Sequence, residues 1–337
     1  LLDGVLDIGM KRSWRSETEA AHGWSRISEV SREAYQGMSV QGGIAMIKGK
    51  YARSLCVTLL LTACFLLIFG AVGGAAHLTI HFIDVGQGDS ILIQTPTGAA
   101  ILVDAGDSRA GKNVVVPYLE DQGIESLDLV VMTHPHFDHI GGLIPVLERY
   151  PVKEILADGQ IHTSRTYEDL LRLILAKEIP FRLARAGDEI AIAGLDEVKV
   201  LNPREPFLKG LNNNSVVLWI RYGEIACLLT GDIEAPAETR ILAEGGLKEA
   251  QVLKVAHHGS GTSTTMKFLK ASKPEIGIMS LGHDNPYDHP HCKTLRHLAR
   301  ADVQVLRTDL AGTIILVSDG MSYWILKDGE KPEDLVP

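Results

Sequence analysis

Thr133-His134-Pro135-His136-Phe137-Asp138-His139 follows directly on the apolar run Leu127-Asp128-Leu129-Val130-Val131-Met132. The apolar run reads as a buried strand, and the polar run as the turn that it empties into. Neutral imidazole nitrogen and carboxylate oxygen are the donors that zinc and manganese accept. Their close spacing lets a single strand-to-loop turn deliver several of them to one or two ions. A chain built around this segment must therefore bring other strand ends to the same place, because one turn alone does not complete a site.

The chain has 337 residues, enough for one large domain or two ordinary ones, with the apolar and charged fractions of a globular protein. The net charge is −9; residues 1–76 hold 8 basic and 6 acidic side chains, so the remainder holds 25 against 36, or −11. An acidic body argues against a broad electrostatic footprint for nucleic acid, although bound cations reverse the sign locally. The four cysteines, Cys56, Cys64, Cys227 and Cys292, form no CxxC pair. Cys227, inside Ile225-Ala226-Cys227-Leu228-Leu229, reads as a buried thiol, with a bridge to Cys292 the other reading.

Leu55 to Ala76 is apolar almost throughout and has the length of a membrane span, about 20 residues. Lys48, Lys50 and Arg53 precede it, which favours a cytoplasmic N-terminal side and sends everything after His77 outside. From Met46 the layout is also that of an export signal, with small residues closing the apolar stretch at Gly70–Ala76. The expected organisation is thus a poorly structured extension with a basic flank over 1–53, a transmembrane helix or signal segment over 54–76, and one domain over 77–330.

From Leu78 onward short apolar strands alternate with helical stretches between Gly, Asp and Asn turns, an α/β pattern. Thirteen strands and six helices are predicted, the strands including Leu127–Thr133, Ser215–Tyr222, Ile225–Thr230 and Gln251–Ala256. Two strand-rich halves, each followed by helices, predict a four-layered αββα sandwich with its functional loops gathered at one edge.

Several predicted strand ends carry candidate ligands. Asp104 closes Ile101-Leu102-Val103 and can orient a metal-binding histidine, or cap a helix. Asp232 follows Leu228-Leu229-Thr230-Gly231, where a carboxylate can bridge two cations roughly 3.5–4 Å apart, or cap the helix after it. Val252-Leu253-Lys254-Val255-Ala256 empties into His257-His258-Gly259-Ser260. If one of these rings binds metal, the other faces away along the backbone and serves the substrate or a supporting role. Further histidines stand at His283, His289 and His291, beside Tyr287. Ser260 lacks the strand-to-helix elbow that a serine nucleophile needs.

The strand-end Val103-Asp104-Ala105-Gly106, the HxHxDH run, Thr230-Gly231-Asp232 and a late histidine resemble the metallo-β-lactamase superfamily over 78–328. Phe82–Ser90, Asn212–Ser215, His257–Ser260 and Tyr287–Pro290 resemble more closely the hydrolase domain of ComEC-type DNA-internalisation competence proteins. In that family the domain is attached to a membrane channel, and the activity implied is degradation of the DNA strand that is not imported. The resemblance implies two divalent ions, zinc or manganese. His134 and His136 would hold the first, Asp138 with His139 and His258 the second, and Asp232 would bridge them. Asp104 and Asn212 would stand behind the ligands. The superfamily usually supplies a further histidine just before the strand leading to the bridging aspartate. Here that place is Asn212-Asn213-Asn214, and no histidine lies between His162 and His257.

Two cations sharing a water polarise the oxygen under attack and lower the pKa of that water, so a phosphodiester or acyl centre is hydrolysed without a side-chain nucleophile. Asp138 then accepts a proton, while His257 or His289 stabilises developing charge. Three functions remain open on this reading. One is an extracytoplasmic phosphodiesterase or nuclease acting on single-stranded DNA or another phosphodiester, held to the membrane through 54–76 if that segment is retained. A separate uptake channel would be needed for any part in DNA import. The second is an exported hydrolase of a small ester, lactone or cell-surface phosphodiester, and the third is a noncatalytic metal-binding module.

Overall fold

The structure, a computed structural model, describes residues 77–327 and Glu330. The extension 1–53 and the apolar segment 54–76 lie outside the described residues. No helix among the described residues is long and apolar enough to cross a membrane.

Among the described residues, fourteen strands form two mixed sheets. The first holds β1 (Leu78–Phe82), β2 (Ile91–Gln94), β3 (Ala100–Val103), β4 (Leu129–Met132), β5 (Ile155–Ala157), β6 (Phe181–Leu183), β13 (Ile314–Ser318) and β14 (Tyr323–Leu326), in the order β14-β13-β1-β2-β3-β4-β5-β6. The second runs β12 (Gln304–Arg307), β11 (Ile276–Met279), β10 (Val252–Lys254), β9 (Ile225–Leu229), β8 (Val217–Tyr222), β7 (Glu197–Asn202). Parallel pairing is confined to β3-β4-β5-β6 and to β9-β10-β11-β12, and every other named pair is antiparallel.

Period-2 alternation divides each strand between two cores. Ile101 and Val103 of β3, and Leu129 and Val131 of β4, meet Val200, Leu218, Leu229 and Val252 of the other sheet in a central core between the sheets. Leu102, Val130 and Met132 point outward and pack beneath Val116–Asp121, Leu143–Arg149 and Arg165–Ala176. On the far side Leu228, Leu253 and Val255 pack beneath Ala235–Ala243, Met266–Ser272 and Cys292–Arg300. The result is helix, sheet, sheet, helix. Cys227 is a buried free thiol in the central core and Cys292 an exposed free one, so the two are not bridged.

Strand β6 was missing from the sequence reading. Phe181-Arg182-Leu183 shows no buried apolar face, since Phe181 and Leu183 are both exposed, and it sits at a sheet edge where one neighbour suffices. Arg182 is held by a two-pronged contact with Glu154, at 2.9 and 3.1 Å.

The parallel strands of both sheets release their chains at one edge, where ligands of open α/β sheets are found. The backbone there is packed to contact. Buried Gly142 lies against Ala105, directly after Asp104, and a Cβ on it would stand 1.9 Å from the Ala105 carbonyl oxygen and 2.8 Å from the Gly111 Cα. Both obstacles are backbone, which no rotamer change relieves. Gly142→Ala is expected to lower unfolding stability by about 3 kcal/mol or more, the upper end for an overpacked site, read from the urea midpoint at unchanged m-value.

Candidate metal centre

The donors converge on this edge from five strand ends. The His134–His139 run follows β4, Asp104 follows β3, Asp232 follows β9, His257 and His258 follow β10, and the loop carrying His289 follows β11. Asp232 Oδ2 lies 3.3 Å from Nε2 of both His139 and His258, and 3.9 Å from Nε2 of both His134 and His257. Asp138 Oδ2 lies 3.5 Å from His258 Nε2. His134, His139 and Asp232 form one group able to hold an ion, and Asp138, His139 and His258 form another. His139 belongs to both, so it stands at their junction. His136 presents Nδ1 2.9 Å from His134 Nε2, close enough for both nitrogens to serve one cation.

Hydrogen bonds behind these rings fix which nitrogen faces inward. His139 donates from Nδ1 to Asp104 Oδ2 at 2.8 Å, and His258 donates from Nδ1 to the Ser280 carbonyl at 2.8 Å. Thr133 Oγ1 donates to Asp104 at 2.5 Å, so the 3.1 Å contact between Thr133 Oγ1 and His134 Nδ1 is donated by the ring. In all three histidines Nε2 is left as the inward donor. Asp104 therefore braces the His139 ring and does not cap a helix; Asp107 makes the cap, accepting from the Ala110 amide. Asp232 caps nothing either, since the following helix begins at Ala235 with Glu234 at its cap position.

These residues fit divalent cations. His139 Nε2, His258 Nε2 and Asp232 Oδ1 are buried without a hydrogen-bond partner, although buried polar atoms are nearly always satisfied. Charge points the same way. Burial pushes the His139 and His258 pKa values down, yet nearby carboxylates, Asp232 foremost, outweigh it and hold both well above the usual imidazole value. Asp138, against burial, is held well below the carboxylate range by His139 and His258. A carboxylate cluster that draws this much positive charge onto its histidines is one that cations can neutralise in their place.

The pair His257-His258 departs from the sequence reading. Side chains face opposite ways in an extended strand, but both residues here have φ near 52°, in the left-handed region. That tight turn lets both rings line one cavity. The cavity, about 310 Å³, is lined by Gln87, His136, Phe137, Asp138, Asp232, His257, His258, Tyr287 and His289. His289 packs edge-on to His257, ring centroids 5.6 Å apart, and burial together with the neighbouring histidines lowers its pKa to about 4. His283 points to solvent beside Asp284, and His291 accepts from the Gly261 amide at 2.7 Å; neither lines the cavity. The three asparagines divide their work. Asn213 and Asn214 tie down the 208–214 loop through side-chain bonds to backbone carbonyls, while Asn212 Nδ2 reaches His257 Nε2 at 3.3 Å.

Two buried charged residues went unassigned in the sequence reading. Asp89 lies in the loop before β2, and Lys254 ends β10; their side chains meet directly beside Asp232. Lys254 carried a signal, as one lysine among four apolar residues. The Asp89 loop is wedged against the histidine run through Gly88, where φ is 134° and a Cβ would stand 2.2 Å from the Asp138 carbonyl oxygen.

A sequence profile of the metallo-beta-lactamase superfamily matches residues 83–283. The chain belongs to the metallo-beta-lactamase superfamily. It is a hydrolase of that superfamily related to competence proteins. It is 34% identical to ComE operon protein 3 of Bacillus subtilis over 251 residues, 70% of this chain and 32% of that protein. It is 31% identical to Recombination protein 2 of Haemophilus influenzae, covering 70% of this chain and 28% of the relative. Competence protein ComA of Neisseria gonorrhoeae is 31% identical over 68% of this chain and 31% of its own length. The chain thus spans about a third of the length of the curated relatives it matches.

Asp104 holds His139 without reaching the cavity, so its loss should loosen the centre without emptying it. Asp104→Ala is expected to weaken manganese or zinc binding by about 10–100-fold, measured by competition with a chromophoric chelator, with the far-ultraviolet circular dichroism unchanged.

Proposed function

We propose that this superfamily hydrolase is an extracytoplasmic, two-metal phosphodiesterase that acts as a nuclease on single-stranded DNA. The observation that carries the reading is Asp232 Oδ2, placed between two groups of inward-facing donors that share His139. His134, His136 and Asp232 would hold one divalent cation, and Asp138, His139, His258 and Asp232 the other, with zinc or manganese suited to these nitrogen and oxygen donors. Bound there, such cations supply Lewis-acid polarisation of a phosphoryl oxygen and acidify water.

The chain's own groups do the rest. Asp138, its side chain 31% exposed and its pKa depressed, is an ionised carboxylate open to the cavity and can accept a proton. His257 and His289 are both shifted toward the neutral imidazole; His289 offers a ring N–H to developing negative charge, while His257 accepts from Asn212 at Nε2 and keeps its proton on Nδ1. Asn212 holds the His257 ring in place. Phe137 and Tyr287, 50% and 57% exposed, stand at the cavity mouth as flat apolar surfaces on which an unpaired base can stack.

Similarity to competence proteins and the basic residues before the 54–76 segment support an extracytoplasmic location, with that segment as anchor or signal. A separate uptake channel would be the partner. One observation favours a second reading, hydrolysis of a small ester, lactone or surface phosphodiester: among the described residues no lysine or arginine lines the cavity.

Full-length protein with manganese is expected to fragment linear single-stranded DNA. His136→Ala should lower kcat/KM at least about 100-fold, roughly 3 kcal/mol of transition-state stabilisation, while the fold persists. Intact DNA alongside turnover of chromogenic esters, by a metal-loaded protein, selects the second reading.

A further inference from the structure

Strand alternation places Lys254 on the same face of β10 as Val252, toward the core between the sheets, where a lysine is least at home. The side chain is fully buried. Isolated there, an ammonium would pay a large desolvation penalty, so its partners define its purpose. It contacts the Asp89 carboxylate directly, lies 3.4 Å from the Gly231 carbonyl, and stands 3.9 Å from Asp232 Oδ1. Asp89, in the loop that leads into β2 of the first sheet, meets Lys254 at the end of β10 in the second, so the pair joins the two halves beneath the centre.

The two carboxylates are each divided by this ammonium. Asp232 turns Oδ2 to the imidazoles, while its buried Oδ1 has no hydrogen-bond partner and looks toward Lys254. Asp89 gives Oδ2 to Lys254 and leaves Oδ1 3.4 Å from His258 Nδ1. Asp89 stands within reach of the centre: it forms a potential ion-holding group with Asp232 and His258, although it approaches the His258 ring from the Nδ1 side.

We propose that Lys254 is a positioning residue that acts as a built-in counter-cation: it withdraws Asp89 from the set of metal ligands and leaves Asp232 to present a single oxygen to the centre. It follows that the protein stands without metal because one permanent positive charge is already in place. Removing that charge leaves the Asp89 carboxylate buried beside Asp232 without its counter-ion, which destabilises the metal-free protein and strengthens its hold on divalent cations. This holds whatever the substrate.

The test uses the full chain as wild type, Lys254→Met and Asp89→Asn/Lys254→Met, melted in EDTA and in excess manganese. Manganese affinity is read by chelator competition. In EDTA, Lys254→Met is expected to melt about 10 °C below wild type, the scale for an uncompensated buried charge in a domain of this size. Manganese should close at least half of that gap, and the variant should bind manganese more tightly than wild type. The double variant in EDTA should recover most of the loss, because the charge left unpaired is gone. If Lys254→Met folds only with manganese, or folds only when Asp89→Asn accompanies it, the proposal stands. An equal loss with and without manganese, or a double variant no more stable than Lys254→Met, overturns it and leaves Lys254 a packing residue.

Discussion

Asp232 is a carboxylate buried between two sheets, and nothing in an apolar interior tolerates such a charge alone. Much of the centre can be understood as its company. His139 and His258 approach one oxygen, Lys254 stands off the other, and Asp104 braces His139 from behind. The strands follow from the same demand. These groups come from β3, β4, β9 and β10, and only parallel neighbours within each sheet, stacked face to face, release four chains at one edge. A purely antiparallel meander would send alternate strand ends to opposite sides and scatter the set.

Close approach has its own requirements, and glycine meets them at two points. Gly142 lets a helix start against the backbone just after Asp104, and Gly88 lets the Asp89 loop lie on the carbonyl of Asp138. The consecutive left-handed residues His257 and His258 are a third device, strained conformations held in place by surrounding structure. Together they trade local conformational ease for a cavity in which six imidazole and carboxylate side chains share a wall.

How much of this was readable in advance depends on the signal each residue carries. Strands such as β3, β4 and β9 announce themselves as apolar runs, and the residues at their ends follow by position. Strand β6 does not, because an exposed edge strand of three residues has no buried face to leave a pattern. The side on which His257 and His258 point depends on φ, and sequence does not give φ. Asp89 sits in the glycine-rich Phe82–Ser90 segment, which carries a family resemblance but shows no partner for this carboxylate. Lys254 is the instructive miss. A lone lysine in an apolar strand was visible, but its meaning lies in Asp89, 165 positions away in the loop that leads into the other sheet. Pairing across sheets is a property of the fold and not of any local window.

The charge distribution sets how this domain meets an anionic substrate. Residues 77–337 carry a net −11, and among the described residues no lysine or arginine lines the cavity, so the cavity wall itself offers no cationic side chain to a phosphate. Cations held by the cluster would provide attraction only locally, since charge beyond about 8 Å is screened at physiological ionic strength. On the proposed function, engagement would come from one phosphodiester at the centre and from contacts that do not rely on charge, such as those Phe137 and Tyr287 offer at the mouth. Such a site holds a long strand weakly and releases it readily. On the proposed function, that would suit a nuclease supplied with substrate by a neighbouring partner better than one that must capture DNA from dilute solution.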